Sequence, residues 1–193
     1  MIALLILIFI FPILYVILGI IIKINSDGPV IFTQPRIGKD GKLFKIYKFR
    51  TMFTESDDEH EDDIIPFGHF MRNSHIDEIP QIINVLKNDM SIIGPRPHTA
   101  KDTIDFSSKI PYYNSRLTVK PGITGLAQVR GYSGRVTEFS HINGRVHYDI
   151  FYINHWSPGL DTYILLLTFR HFNAPSPSTI AEAQKWQKQT INA

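Results

Sequence analysis

The sequence contains no cysteine, which excludes disulfides, thiolate zinc sites and cysteine nucleophiles together. A reducing compartment is compatible with that absence but is not required by it. Net charge is only +2, and neither a lysine-rich arm nor an alternation of aromatic and basic residues marks a nucleic-acid binder. No nucleic-acid partner is therefore expected, and a mildly basic surface beside anionic lipid is the plainer reading. GxSxG, Walker A and GxGxxG patterns are missing, which removes the usual grounds for a hydrolase, an NTPase or a dinucleotide-binding enzyme. The histidines form no HExxH or other close ligand spacing, so a structural zinc site is not expected. No internal repeat is present. The length fits one compact domain with a small appendage.

Charge is absent altogether from residues 1–22. At ~1.5 Å per residue such a helix reaches roughly 30 Å, enough for the hydrocarbon of a bilayer. Three readings compete: a spanning helix, a signal peptide, and a hairpin that enters and leaves the same face. The signal peptide is disfavoured, because no basic region precedes the apolar run and no small-residue cleavage site follows it. Pro12 sits near the middle, where it removes a backbone hydrogen bond and kinks a helix. Composition leaves the spanning and re-entrant readings both open. Lys23, Arg36, Lys39, Lys42 and Lys45 follow the segment, which favours the cytoplasm for everything after it. On either reading residues 1–22 anchor the chain to a membrane.

Asn25-Ser26-Asp27-Gly28-Pro29 is a turn cluster that ends this segment. Val30-Ile31-Phe32 and Leu43-Phe44-Lys45-Ile46-Tyr47-Lys48-Phe49 read as strands, with Gly38-Lys39-Asp40-Gly41 as the hairpin turn between them. The run from Glu55 to Asp63 is nearly all acidic. A solvated loop is its favoured reading, and a metal-collecting loop is the alternative. From Ile76 the apolar residues Ile79, Ile82, Ile83 and Leu86 recur at helical spacing. Ser74 is the expected N-cap, with Asp77 at the capping-box position, and Pro80 is tolerable only near a helix start. Asn88 is placed to end the helix in left-handed geometry. Lys120-Pro121-Gly122-Ile123-Thr124-Gly125 reads as a rigid turn, followed by a short strand at Leu126-Ala127-Gln128-Val129. Residues 136–152 are expected to be helical in their second half. Residues 160–172 are too short and too interrupted to span a membrane, which suits an interfacial or core helix. Pro175-Ser176-Pro177-Ser178 reads as a linker, and residues 180–193 as a polar helix or tail.

The chemistry concentrates in Arg72-Asn73-Ser74-His75-Ile76-Asp77-Glu78-Ile79-Pro80-Gln81 and in Gly94-Pro95-Arg96-Pro97. Adjacent carboxylates at a helix start lie where the dipole favours anions and where free N–H groups can hold phosphate. Neighbouring side chains on a helix point in different directions, so Asp77 and Glu78 need not share one role. One carboxylate can attack phosphorus and the other can hold a divalent ion. Magnesium is the natural ion, because it prefers oxygen ligands and bridges carboxylate to pyrophosphate. Arg72 and Arg96 suit bidentate contacts with phosphate oxygens. The bland alternatives are an ordinary acidic first turn and an ordinary proline-rich turn, and the residues alone do not exclude them.

Longer stretches carry a resemblance. Gly28-Pro29-Val30-Ile31-Phe32-Thr33-Gln34-Pro35-Arg36-Ile37-Gly38, Tyr47-Lys48-Phe49-Arg50-Thr51-Met52 and Ile76-Asp77-Glu78-Ile79-Pro80-Gln81 are similar to the bacterial sugar transferase family. Asn84-Val85-Leu86, Asp89-Met90-Ser91, Gly94-Pro95-Arg96-Pro97 and Lys120-Pro121-Gly122-Ile123-Thr124-Gly125 follow in the family's order. These are the monotopic polyprenyl-phosphate phosphoglycosyl transferases that start glycan assembly. The resemblance implies transfer of a sugar 1-phosphate from a UDP-sugar to undecaprenyl phosphate, with UMP released. That reaction is the first membrane step of exopolysaccharide, capsule or O-antigen assembly. It implies Asp77 as nucleophile, forming a covalent phosphosugar, and Glu78 with Asp77 at a Mg2+ ion. Arg96 would bind phosphate, with Arg72 and Arg50 in support. The segment from Gln128 to Asp161 is similar to the exopolysaccharide-initiating branch, which often uses UDP-glucose or UDP-galactose.

The resemblance further implies an α+β fold, with a re-entrant N-terminal helix broken at Pro12 and amphipathic helices seated at the interface. Phe11 stands where the family usually carries serine. The expected organisation is residues 1–22 as membrane helix, 23–173 as catalytic domain and 174–193 as linker and tail. The form expected from the resemblance is the family's minimal one, without extra transmembrane helices in front. The expected location is the cytoplasmic face of the bacterial inner membrane, with membrane lipid as a partner. A homodimer is compatible with the family, though no residue here specifies one. Two rivals remain: a non-catalytic membrane scaffold of the same fold, and single-step transfer of the polytopic type. The acid pair and the Pro-Arg-Pro turn oppose the first, and the single apolar segment opposes the second.

Overall fold

A computed structural model describes residues 2–53, 63–134 and 138–171. The chain divides into two compact units, Met1–Gln34 with Lys45–Asn88, and Pro35–Phe44 with Asp89–Ala193. Both mix helices with short strands, in keeping with an α+β class. Among the described residues no helix is long and apolar enough to cross a membrane. Residues 54–62, which hold most of the acidic run from Glu55 to Asp63, and the expected linker and tail lie outside the described residues.

The first unit is built around helix α1 (Ile2–Asn25), which carries Pro12 inside it. Leu18 and Ile22 of α1 are buried with Phe49, Ile65 and Met71, and Phe11, Leu14 and Ile21 pack against that cluster. Ile13, Val16, Ile17, Ile20 and Ile24 remain exposed. Their spacing of three and four residues makes a second, uncovered apolar stripe along the same helix. The expected hairpin is present, with β1 (Ile31–Ile37) paired to β2 (Leu43–Phe49). Asp40 and Gly41 take positive φ in its turn. The tip, Pro35–Phe44, belongs to the second unit.

Helix α2 (Gly68–Asn73) leads into a 3-10 turn, Ile76–Gln81, and then α3 (Ile82–Leu86). Ser74 is not the N-cap of the acid turn. Its Oγ donates back to the Phe70 carbonyl at 2.7 Å, which closes α2, and His75 takes the left-handed conformation (φ 52) at the start of the next turn. The 3-10 geometry has a cause in Pro80, which has no N–H to donate and whose ring would crowd the Ile76 carbonyl of an α-helix. Asn88 has φ 68 and ends α3, as the sequence suggests.

The second unit holds β3 (Ser91–Ile93) and β4 (Gly122–Thr124), paired in parallel with Ser91 opposite Gly122 and Ile93 opposite Thr124. Residues 120–125 are thus not simply a turn, and Leu126–Val129 is helix α5 (after α4, Ala100–Lys109) rather than a strand. A short apolar run has no periodicity that separates strand from helix. Here the Gln128 Nε2 donates to the Ile123 carbonyl and secures the turn of chain into α5. Thr99 caps α4, its Oγ1 accepting from the Asp102 N–H at 3.0 Å. Helices α6 (Phe139–Asn154) and α7 (Pro158–His171) complete the unit. Tyr152, Ile164 and Leu167 from them bury against Ile93, Leu126 and Val129.

Gly122 lies where β4 meets the chain leaving β3. A Cβ there would collide with backbone atoms of Gly94, Ile93 and Thr124, none of which can rotate away. Gly122→Ala should therefore destabilise the protein by about 1–3 kcal/mol through overpacking. Guanidinium unfolding in detergent checks this, and an unchanged midpoint contradicts it.

Candidate active site

Asp77 and Glu78 occupy the first turn of the 3-10 segment and are only 8% and 6% exposed. With three residues per turn, successive side chains leave the axis about 120° apart, so the two carboxylates face different neighbours. The Lys48 Nζ of β2 reaches Glu78 Oε1 at 2.6 Å. Asn84, fully buried, fixes that reach from α3: its Oδ1 accepts from the Tyr47 N–H at 3.1 Å and its Nδ2 donates to the Lys45 carbonyl at 2.7 Å. Lys48 was not singled out from the sequence. Its signal was the second of two lysines in a largely apolar strand, within a motif that also held Arg50.

Arg72 belongs to the same unit and donates from Nε to Thr51 Oγ1 at 2.8 Å. Arg50, expected beside phosphate, is 4% exposed and holds the chain after α1. Its Nε donates to the Pro29 carbonyl, its Nη1 to Ser26 Oγ and its Nη2 to the Ser26 carbonyl, at 2.6–2.9 Å. A guanidinium at that position also suits the negative end of the α1 dipole. The Gln81 side chain is buried as well, and its Nε2 makes no hydrogen bond among the described residues.

Arg96 belongs to the second unit, in the turn that follows β3. Here the carbonyls of four successive residues are all held. Pro95 accepts from the Gly122 N–H at 3.0 Å, Arg96 from Arg116 Nη2 at 2.8 Å, Pro97 from Arg36 Nη1 at 3.5 Å, and His98 from the Ile37 N–H at 2.9 Å. Arg96, His98, Thr103, Tyr113, Arg116 and Pro121 are among the residues lining a small pocket. His98 is buried between guanidinium groups, with Arg116 Nη1 3.1 Å from Nδ1 and Arg145 Nη1 3.2 Å from Nε2. Burial, then the charges of Arg116 and Arg145, hold its pKa well below the ordinary histidine value. Arg145 itself is pushed down to about 9 by burial and by Arg96 and Arg116, and remains charged at neutral pH.

No group of three or more His, Asp or Glu side chains capable of holding a metal occurs among the described residues. Asp77 and Glu78 offer the donor chemistry that one kind of ion prefers. Two hard carboxylate donors suit magnesium, which keeps water and takes substrate phosphates as its remaining ligands. Lys48 occupies Oε1 of Glu78 and orients that carboxylate.

The sequence model of the bacterial sugar transferase family matches residues 1–174. The chain is 44% identical over 171 residues to a UDP-glucose:undecaprenyl-phosphate glucose-1-phosphate transferase of Klebsiella pneumoniae, covering 85% of this chain and 37% of that protein. It is 41% identical over 173 residues to the transferase of the same description from Escherichia coli K12, covering 86% and 37%. An Aeromonas hydrophila UDP-N-acetylgalactosamine-undecaprenyl-phosphate N-acetylgalactosaminephosphotransferase is 38% identical over 159 residues, covering 79% and 37%. The chain thus spans little more than a third of the length of these curated relatives.

The setting of His98 has a consequence for stability. Its folded pKa lies below the unfolded value of about 6.5, so the unfolded chain takes up a proton that the folded one refuses. The stability linked to His98 is complete above pH ~6.5 and is lost as pH falls toward the folded pKa. His141, lowered by burial and by Arg145, adds in the same direction. Melting temperature should therefore fall less steeply between pH 7 and 5 in His98→Gln than in the wild type. Equal slopes contradict the neutral, guanidinium-flanked imidazole.

Proposed function

The chain belongs to the bacterial sugar transferase family, and from that premise we propose that it moves a hexose 1-phosphate from a UDP-sugar to undecaprenyl phosphate. The observation that carries this reading is the buried acid pair, Asp77 beside Glu78, with a lysine seated on Glu78. Asp77 is the nucleophile. One of its carboxylate oxygens attacks the sugar-bearing phosphorus, the bond from that phosphorus to the bridging oxygen breaks, and UMP leaves with that oxygen. The hexose 1-phosphate remains as an acyl phosphate on Asp77. A phosphate oxygen of undecaprenyl phosphate then attacks the same phosphorus, the bond from phosphorus to the Asp77 oxygen breaks, and the carboxylate is regenerated. The relay lets two anionic substrates use one centre in turn, which spares each the repulsion of the other.

Arg72 and Arg96 are assigned to phosphate oxygens, for which a planar fork of donors is suited. Arg50 supports the site by closing the chain after α1. A magnesium ion on Glu78 and Asp77 supplies charge neutralisation for the pyrophosphate when bound. Lys48 aims Glu78 through its contact at 2.6 Å, and burial of the pair keeps bulk water from competing.

The uncovered apolar stripe on α1 supports membrane attachment, since an exposed patch of that kind marks an interaction surface. One face of α1 packs on protein while the other stays apolar, which suits a re-entrant helix at the cytoplasmic face of the inner membrane. Glucose or galactose is the proposed sugar. Of the relatives named for glucose transfer, four are 41–44% identical and one is 36%, against 38% for the N-acetylgalactosamine enzyme. The product would enter exopolysaccharide, capsule or O-antigen assembly.

Detergent-purified protein given UDP-glucose or UDP-galactose, undecaprenyl phosphate and magnesium should release UMP. Asp77→Asn should abolish release while the protein still fractionates with membranes. EDTA should stop the wild type, and added magnesium should restore it. Substantial release by Asp77→Asn removes Asp77 from the nucleophile's role, and full turnover in EDTA removes the metal.

A further inference from the structure

The second unit contains a buried charge arrangement that the acid-pair chemistry leaves unused. Arg116 and Asp149 form an ion pair, Nε to Oδ2 at 2.7 Å, with the two side chains 3% and 2% exposed. A carboxylate taken that far from water is costly unless its partners are held in good geometry. Burial does raise the pKa of Asp149, while the charges of Arg116 and Arg145 oppose the rise. The pair lies on α6 and on the 3-10 turn Tyr113–Thr118, both in the second unit.

The other donors of Arg116 lead to the Pro-Arg-Pro turn. Its Nη2 holds the Arg96 carbonyl at 2.8 Å, and its Nη1 lies 3.1 Å from His98. Pro95 and Pro97 have fixed φ, and a residue before proline is confined to extended geometry. The tilt of the Arg96–Pro97 peptide plane is the freedom left, and Arg116 clamps the carbonyl that defines it. Arg116 can do so only while its fork is oriented, and Asp149 on Nε is what orients it. His98 completes the frame from the other side through Tyr113, whose Oη is 2.6 Å from Nδ1.

We infer that Asp149 is a positioning residue for Arg96, acting through Arg116 to set the direction in which the Arg96 side chain leaves its turn. The inference rests on the reading that Arg96 meets a substrate phosphate. Asp149 touches no substrate itself. Loss of its charge should therefore weaken donor use only insofar as Arg96 is there to be aimed.

A double-mutant cycle on the full chain in detergent tests this, with UMP release as readout. Asp149→Asn should lower kcat/KM for the UDP-sugar roughly tenfold, mainly through KM. In an Arg96→Gln background the same change should cost less than about twofold. Arg116→Lys keeps the charge opposite Asp149 but loses the fork. It should reproduce the KM effect, and it decides the matter if Asp149→Asn does not fold. Additive losses, or an unchanged kcat/KM, overturn the inference. Hydrogen exchange gives a readout independent of turnover. Peptides covering residues 94–100 should exchange faster in Asp149→Asn, while those covering 158–171 keep the wild-type rate. Uniform acceleration, or none, overturns the inference. A wild type that releases no UMP from any UDP-sugar refutes the proposed reaction instead, and exchange still decides the role of Asp149.

Discussion

The contact between Lys48 and Glu78 is the constraint on which the candidate site depends. A carboxylate 6% exposed would be expensive to keep ionised without a partner. The ammonium group at 2.6 Å supplies a partner of opposite charge and joins the end of β2 to the acid turn. Asn84 then fixes the spacing of the two elements by bonding the backbone of β2 on both sides of Ile46. Pro80 shapes the turn itself, tightening it so that Asp77 and Glu78 diverge rather than stack. One ion pair, one amide and one proline therefore give two neighbouring acids different surroundings. Different surroundings are what two different roles require.

Arginines in the structure do more holding than a sequence reading assigns them. Arg50 secures the chain after α1, and Arg116 and Arg145 bind carbonyls of the second unit while flanking a neutral histidine. The planar fork explains the choice of residue, since three directed donors on one rigid group can close a loop that lysine could not. The same property makes arginine a phosphate ligand, so residue type alone does not separate the two uses. Arg72 and Arg96 show this from the other side. Arg72 has one donor on Thr51, and Arg96 has its carbonyl held by Arg116 and is among the residues lining a small pocket.

Much of the fold was legible where the pattern was local. The hairpin around Gly38 to Gly41 and the left-handed Asn88 follow from turn chemistry, and the helix over residues 158–171 from an apolar run too short and interrupted to span a membrane. The misreadings share a different cause. Ser74 looked like an N-cap, but His75 takes the left-handed turn and gives Ser74 to the helix before it. Gly122 to Thr124 looked like a turn, yet it pairs with a strand about thirty residues earlier, a non-local contact that no window of sequence contains. Asp77 and Glu78 stand out as candidates from a motif, whereas Lys48 and Asp149 meet their partners, Glu78 and Arg116, 30 and 33 residues away in sequence.

The claim that most needs a direct measurement is the covalent relay on Asp77. Intact-protein mass spectrometry after incubation with UDP-sugars and magnesium, without any lipid acceptor, reads it in one step. A mass increase of one hexose phosphate, absent from Asp77→Asn, is the expected result and also names the donor class. UMP release that requires undecaprenyl phosphate, with no adduct from any donor, would contradict the relay and favour transfer in a single ternary complex.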